Sequence, residues 1–335
     1  MIQEKNELNI LKEPESSHLQ SAQKLWNLNS PCIFIRHLAN HVYQSTQIDQ
    51  KVILRLSSTS YRSRDEIESE LNWVEYLHQN NMTVSRPILS VNNQNIELLT
   101  NSNGEYYACL FSFANGKPLD ATKEISQVLL NKWIQTAAEF HNLSVNYDIR
   151  QSAHRSQWNT ESVYRDVELA ILGNEFEANN AFVNDFKRAS LWLKSLPQTK
   201  SNFGLIHADF HLGNFFADET GNLNVFDFDD CCYHWYMYDF AVVIVSRVFA
   251  LVNFGSNIDL SAYSVEFLRN YYNYALEPRA DIDILLKFIR YRMTSVLLWI
   301  QNKLEKKLIP SSTSQWLESY QKWTRSEYSK LPDFL

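Results

Sequence analysis

Residues 207–214 read HADFHLGN, and FDFDD follows at 226–230. His207, Asp209 and His211 fall at alternate positions, Asn214 closes the run, and Asp227 comes thirteen residues later. Two chemistries use such residues. In phosphoryl transfer a carboxylate takes the proton of an attacking hydroxyl, while an amide oxygen and a second carboxylate hold a hard cation. In metal-assisted hydrolysis His207, Asp209 and His211 would share a metal with Asp227 or Asp229. The first chemistry employs Asn214. The second leaves it idle, and alternate side chains converge only while a strand lasts.

The flanks place these residues. FGLI (203–206) and LNVF (223–226) are short apolar runs, and DETGN (218–222) between them is rich in turn residues. They predict two antiparallel strands, with His207, Asp209 and Asn214 leaving the end of one and Asp227 the end of the other. That many polar groups on an apolar floor are costly to bury unpartnered, so they are expected to face a ligand.

Upstream, CIFIRHL, VYQST and KVILRL within 31–57 predict three antiparallel strands. Residues 63–81 follow with apolar side chains at helical spacing, Ser63 as N-cap and acids in the first turn. RPILSV, NIELLT and GEYYACLFSFANG add strands up to about residue 115. Helical patterns occupy 125–143, pieces of 161–196 and most of 239–330. The expected class is α+β. Residues 1–30 are an N-terminal extension, 31–115 a β-rich nucleotide-binding lobe with one main helix, and 116–335 a helical catalytic and substrate lobe.

That layout, with H-x-D-x-x-x-x-N and a later Asp, matches the protein-kinase-like phosphotransferases. Asp209 to Asn214 is the interval of a kinase catalytic loop. Arg55 on the third strand and Glu70 on the next helix stand where kinases place a lysine–glutamate pair, and Arg offers a planar fork to phosphate. Glu68 is the competing partner. The chain resembles the aminoglycoside phosphotransferase and choline kinase family, which includes type II homoserine kinases and bacterial stress-response kinases. HLANHVY (37–43), KVILR (51–55), ESELNWVEYL (68–77), LFSFANGKPL (110–119), TAAEFHNL (136–143), LIHADFHLGN (205–214), VFDFDD (225–230) and YDFA (238–241) carry the resemblance. It implies ATP and Mg2+ as cofactors, Asp209 as catalytic residue, and Asn214 with Asp227 as metal ligands. It also implies Arg55 and Glu70 as the phosphate-gripping pair, Asn40 in a turn over the phosphates, and adenine beside Phe111 and Phe113. His207 would buttress backbone, His211 has no assigned role, Asp239 would cap a helix or fix the catalytic loop, and His141 reads as packing.

The resemblance further implies a small-molecule hydroxyl acceptor of the amino alcohol, amino acid or aminoglycoside type. The alternatives are a protein Ser/Thr kinase of the stress-response type, then a pseudokinase or nucleotide-binding module, then a metallohydrolase. Only eleven residues separate Asp227 from Asp239, short for a peptide-docking segment. The turn Leu38-Ala39-Asn40-His41 departs from the family in lacking glycine, the one feature that favours a pseudokinase. Ala208 stands where many members have Gly. Asp229 and Asp230 add charge whose role is open between a second metal, a cationic substrate and solvent.

Composition narrows the partners. A net charge of −7 and a pI near 5.7 give no electrostatic case for nucleic acid or an anionic membrane, and mildly favour a cationic acceptor. Four cysteines suggest no disulfide framework. SVLLWI (295–300) is too short to span a bilayer, and the N-terminus lacks the pattern of a signal peptide, so a cytoplasmic protein is expected. The aromatic runs 233–240 and 267–274, tempting as a cage for a quaternary ammonium, read first as helix core. Glu161, Asp166 and Glu168 read as a solvated helix face before they read as cation contacts.

Overall fold

Strand alternation builds the first sheet. The computed structural model describes residues 14–37, 39–102, 104–121, 123–177, 179–276 and 281–334. β1 (Ile33–His37), β2 (His41–Gln47) and β3 (Gln50–Ser58) form the expected meander. It continues through β6 (Gly104–Ser112), on which β4 (Pro87–Ile88) and β5 (Glu97–Asn101) pair. One face buries Tyr43, Val52, Leu54, Leu56 and Leu110. The other carries Arg55, and its Cys109 packs on Ile67 and Leu71 of α2 (Arg64–Gln79). Ser63 starts that helix with a capping box, its hydroxyl accepting from Glu66 N–H while the Glu66 carboxylate accepts from Ser63 N–H.

The described part of residues 1–30 packs on the β-rich unit. α1 (Ser16–Leu25) lays Ala22, followed by Trp26, onto the first sheet face. Trp26 is 1% exposed, and its indole N–H donates to the Ile88 carbonyl at 2.8 Å. The sequence hides this because the helix's polar residues outnumber the few that it buries.

The chain packs as two compact units. The first runs to Asn115 and also includes Asp148–Arg155 and Asn224–Asp229; the second holds the rest. The helical span expected over 116–335 is thus interrupted twice. Ser152 and Gln151 bond to the α2 residues Ser69 and Asn72. Val225 exchanges backbone hydrogen bonds with Thr83 and Ser85. Asp227 therefore belongs to the β-rich unit.

The second unit contains α3 (Gln127–Ser144), α4 (Ser162–Leu172), α5 (Ala181–Ser195), α6 (Tyr236–Asn253), α7 (Leu260–Tyr271), α8 (Ile282–Glu305) and α9 (Thr313–Tyr328). Side-chain oxygens of Ser126, Glu161, Asn180, Asp259 and Asp281 cap five of them. α6, rather than SVLLWI, is long and apolar enough to cross a membrane by length and composition. It is a core helix, however, with 78% of that window buried. Gly116, at φ +101°, opens the unit where a Cβ would collide with the Ala217 carbonyl, which accepts from Lys117 N–H.

The expected strand pair around the candidate site is not formed. β7 (Phe203–Ile206) pairs antiparallel with β10 (Cys232–Trp235), while β8 (Phe215–Ala217) pairs with β9 (Leu223–Val225). All four β10 residues are buried, and Trp235 meets Phe203 edge-on at 5.1 Å. The run 233–240 is thus a buried strand leading into a core helix, and its aromatics go to packing.

Trp26→Ala is expected to lower unfolding free energy by about 3–5 kcal/mol, through the cavity and the orphaned Ile88 carbonyl. Urea denaturation reads it; a midpoint within error of wild type would show that α1 is dispensable.

Candidate active site

Arg55 leaves β3 on the face covered by α2, fifteen residues before Glu70. Its two terminal nitrogens donate to the two Glu70 oxygens at 2.7 Å each, and both side chains are buried. Glu68, the other candidate partner, is exposed. Burial opposes the Arg55 charge, but Glu70 outweighs it and raises the guanidinium pKa. Arg55 also lies over the Phe111 ring at 5.0 Å, and Lys51 over Phe113 at 5.2 Å. A groove of about 1150 Å3 in this unit includes Lys51, Arg86, Ser112, Phe113 and Asn115 in its walls. Asn40 accepts the Ser57 hydroxyl at 2.7 Å, tying the turn to β3; Leu38 of that turn lies outside the described residues.

Asp227 adopts φ +67°, and its carboxylate pairs with Arg36 of β1. Its neighbour Asp229 is neither solvated nor open to a ligand. It is buried and accepts from Tyr61 at 2.9 Å and from Arg62, while Arg155 holds its backbone carbonyl. Burial works to raise its carboxyl, but Arg62, Arg55 and Arg155 keep it well below the usual carboxylate range.

In the second unit β7 ends at Ile206, and the chain turns at Ala208 with φ +66°. That left-handed conformation is strained for alanine and is one that glycine adopts freely. Asp239 holds the turn: its two carboxylate oxygens accept from His207 N–H at 3.0 Å and Ala208 N–H at 2.7 Å. Asp239 is itself buried and lies 3.3 Å from His141 Nε2, whose Nδ1 meets the Tyr271 hydroxyl. Both Asp239 and His141 are therefore structural, the first by fixing the loop.

Asp209 emerges from this turn and meets Asn214. The Asn214 amide nitrogen donates to the Asp209 carbonyl at 2.8 Å and to its carboxylate at 2.9 Å. This leaves Asn214 Oδ1 buried, with no hydrogen-bond partner among the described residues. A buried acceptor without a donor is rare and suits a hard cation. His211 lies 3.4 Å from the Asp209 carboxylate and accepts from Gly213 N–H through Nδ1. His207 Nδ1 accepts from Asp209 N–H. The alternate histidines thus each give Nδ1 to a backbone N–H, His211 also facing the Asp209 carboxylate through Nε2, and among the described residues no three His, Cys, Asp or Glu side chains converge on a metal position. His207 and His211 have backbone roles here in place of the ligand roles that the metallohydrolase reading gives them.

One contact had no visible sequence signal. Arg292 of α8 points at Asp209 from 3.6 Å and donates to the Tyr238 hydroxyl at 3.0 Å. Burial works to raise the Asp209 carboxyl, but His211, Arg292 and His207 hold it down at about 2. The nearby acids are occupied: Glu161 caps α4 as a buried carboxylate, Asp166 pairs with Lys303 and Trp299, and Glu168 accepts from Tyr164.

Comparison with known proteins decides the family. A model of the phosphotransferase enzyme family matches residues 33–279. The chain belongs to that family. It is a kinase-type phosphotransferase with a protein-kinase-like fold. Amicoumacin kinase of Bacillus subtilis (strain 168) is 25% identical over 247 residues, 71% of this chain and 69% of that protein. The structure of an amicoumacin kinase in complex with AMP-PNP, Ca2+ and Ami superposes with a TM-score of 0.77 at 22% identity, covering 96% of each chain. A microcompartment-associated aminopropanol kinase gives 0.66 at 18% identity, over 93% of this chain and 97% of that one.

The Asp209 carboxyl is expected to titrate near pH 2 in a carbon-detected NMR titration. Arg292→Met should move it up toward the ordinary carboxylate range. The folded value lies below the unfolded one of about 3.9, so ionised Asp209 adds stability above about pH 4 and loses it as pH falls toward 2. An unshifted titration in the variant would show that Arg292 does not act on Asp209.

Proposed function

We propose that this family member is an ATP-dependent, Mg2+-requiring kinase that phosphorylates a hydroxyl of a small molecule of the amino alcohol, amino acid or aminoglycoside type. The Asn214 side chain carries the reading. Its amide N–H bonds fix Asp209, and its Oδ1 is a buried acceptor with no hydrogen-bond partner among the described residues, which suits a hard cation. The nucleotide and Ca2+ in the amicoumacin kinase complex, and the acceptors named for that kinase and for the aminopropanol kinase, support the same direction.

In this mechanism Asp209 accepts the proton of the acceptor hydroxyl as its oxygen bonds to the γ-phosphorus and the bond to the β-phosphate oxygen breaks, releasing ADP. Asn214 and Asp227 would supply oxygens to hold Mg2+, which would neutralise phosphate charge. Arg55, held by Glu70, engages the outer phosphates; Asn40 lies in the turn that covers them, and Phe111 and Phe113 border the adenine. Asp239 fixes the loop from which Asp209 projects.

A small acceptor is preferred over a protein for a specific reason. Every residue from 231 to 240 is buried, as strand and core helix, so this stretch offers no surface on which to dock a peptide.

Thermal unfolding tests the reading. MgATP is expected to raise the wild-type midpoint and to leave Asp227→Ala unmoved, whereas Zn2+ gives no shift. An acceptor screen by ADP release should then show turnover that Asp209→Ala lowers by at least about a hundredfold. No MgATP shift in the wild type would overturn the proposal.

A further inference from the structure

Strand β1 carries an irregularity with a consequence for charge. Its pairing with β2 runs Ile33 to Gln44 and Phe34 to Tyr43, then skips to Arg36 with Val42 and His37 with His41. Ile35 is the extra residue. In an unbroken ladder Ile35 would face Val42, and Arg36 would lie on the opposite face. The bulge instead puts Arg36 in register with Val42, which pairs with Arg55, which pairs with Cys109. Paired residues share a face, so Arg36 and Arg55 project from the same side of the sheet at the same level. Phe34 and Tyr43 stay on the other side, with ring centroids 5.7 Å apart.

Arg36 does not lie idle there. Its guanidinium pairs with Asp227, yet 47% of its side chain remains exposed, leaving donors of its fork accessible. An exposed ion pair contributes little to stability, whereas a bulge interrupts the ladder of an edge strand. The pair alone gives the fold little reason to keep that interruption. A ligand does. The turn that follows β1 has no glycine among residues 38–41, so its backbone is less free to wrap an anion. A planar guanidinium beside it offers two parallel N–H bonds to phosphate oxygens.

We infer that Arg36 is a second phosphate-positioning residue, which engages the outer phosphates of the nucleoside triphosphate while its ion pair keeps it beside Asp227. The inference rests on the nucleotide reading above and names a residue outside the family motifs. Arg55 and Arg36 then divide the work: one is buried and fixed by Glu70, the other is exposed and aimed by the bulge. Because its target is the distal end of the nucleotide, Arg36 distinguishes triphosphate from monophosphate.

Calorimetric titration of the full chain with MgATP, MgADP and AMP tests this on wild type, Arg36→Met and Arg36→Lys, with unliganded melting midpoints as the folding control. Arg36→Met is expected to weaken MgATP by about tenfold or more and MgADP by less, to leave AMP unchanged, and to keep the unliganded midpoint. Arg36→Lys should recover part of the loss, since it restores the charge without the fork. Equal loss for all three nucleotides would mean a structural role. Unchanged MgATP affinity would remove Arg36 from the site, and tighter binding would make it an obstruction on Asp227. Each of these overturns the inference. If wild type binds no MgATP, the nucleotide reading falls first and this one with it.

Discussion

A carboxylate taken out of water must be met by donors, and two such groups organise this protein. Glu70 and Asp239 are each almost wholly buried, one in each compact unit. Leaving either charge unpaired would cost about 3–5 kcal/mol, a large fraction of a typical domain's stability. Glu70 is met by the fork of Arg55, which fixes the register between α2 and the sheet. Asp239 is met by two backbone N–H groups, which hold Ala208 in its strained turn and set the direction of Asp209. The folding requirement and the positioning of the proposed reactive groups are therefore one requirement.

The other buried acids follow the same rule without serving chemistry. Asp229 is saturated by Arg62 and Tyr61, and Asp185 by Arg290 and Arg188. What sets Asn214 apart is the oxygen that this pairing leaves over. Among the described residues that point to phosphoryl transfer, the buried Asn214 Oδ1 is an acceptor, and the buried Arg55 Nε a donor, whose hydrogen bonding the protein alone does not complete.

Local patterns were legible in the sequence. The meander from β1 to β3, the capped start of α2 and the spacings of Arg55 with Glu70 and Asp209 with Asn214 are all written within short stretches. Partner choice was not. FGLI reads as a strand, but nothing in those four residues says that CYHW rather than LNVF will pair with it. Arg292 reaches Asp209 from far along the chain, and Arg36 gains its direction from a single extra residue in a ladder. The role of Asp229 stays open in the sequence because its partners Arg62 and Arg155 carry no motif. In each case the missing information is a tertiary contact, which propensity and periodicity do not encode.

The Arg55–Glu70 pair is the link between the fold and the proposed nucleotide site. The measurement is the MgATP dissociation constant of Glu70→Gln against wild type, by calorimetry on protein shown to be folded. Glutamine keeps the shape and removes the charge that fixes the guanidinium. MgATP affinity is expected to fall by about tenfold or more while the variant stays folded. An unchanged dissociation constant would contradict it, since Arg55 would then have no part in holding the phosphates.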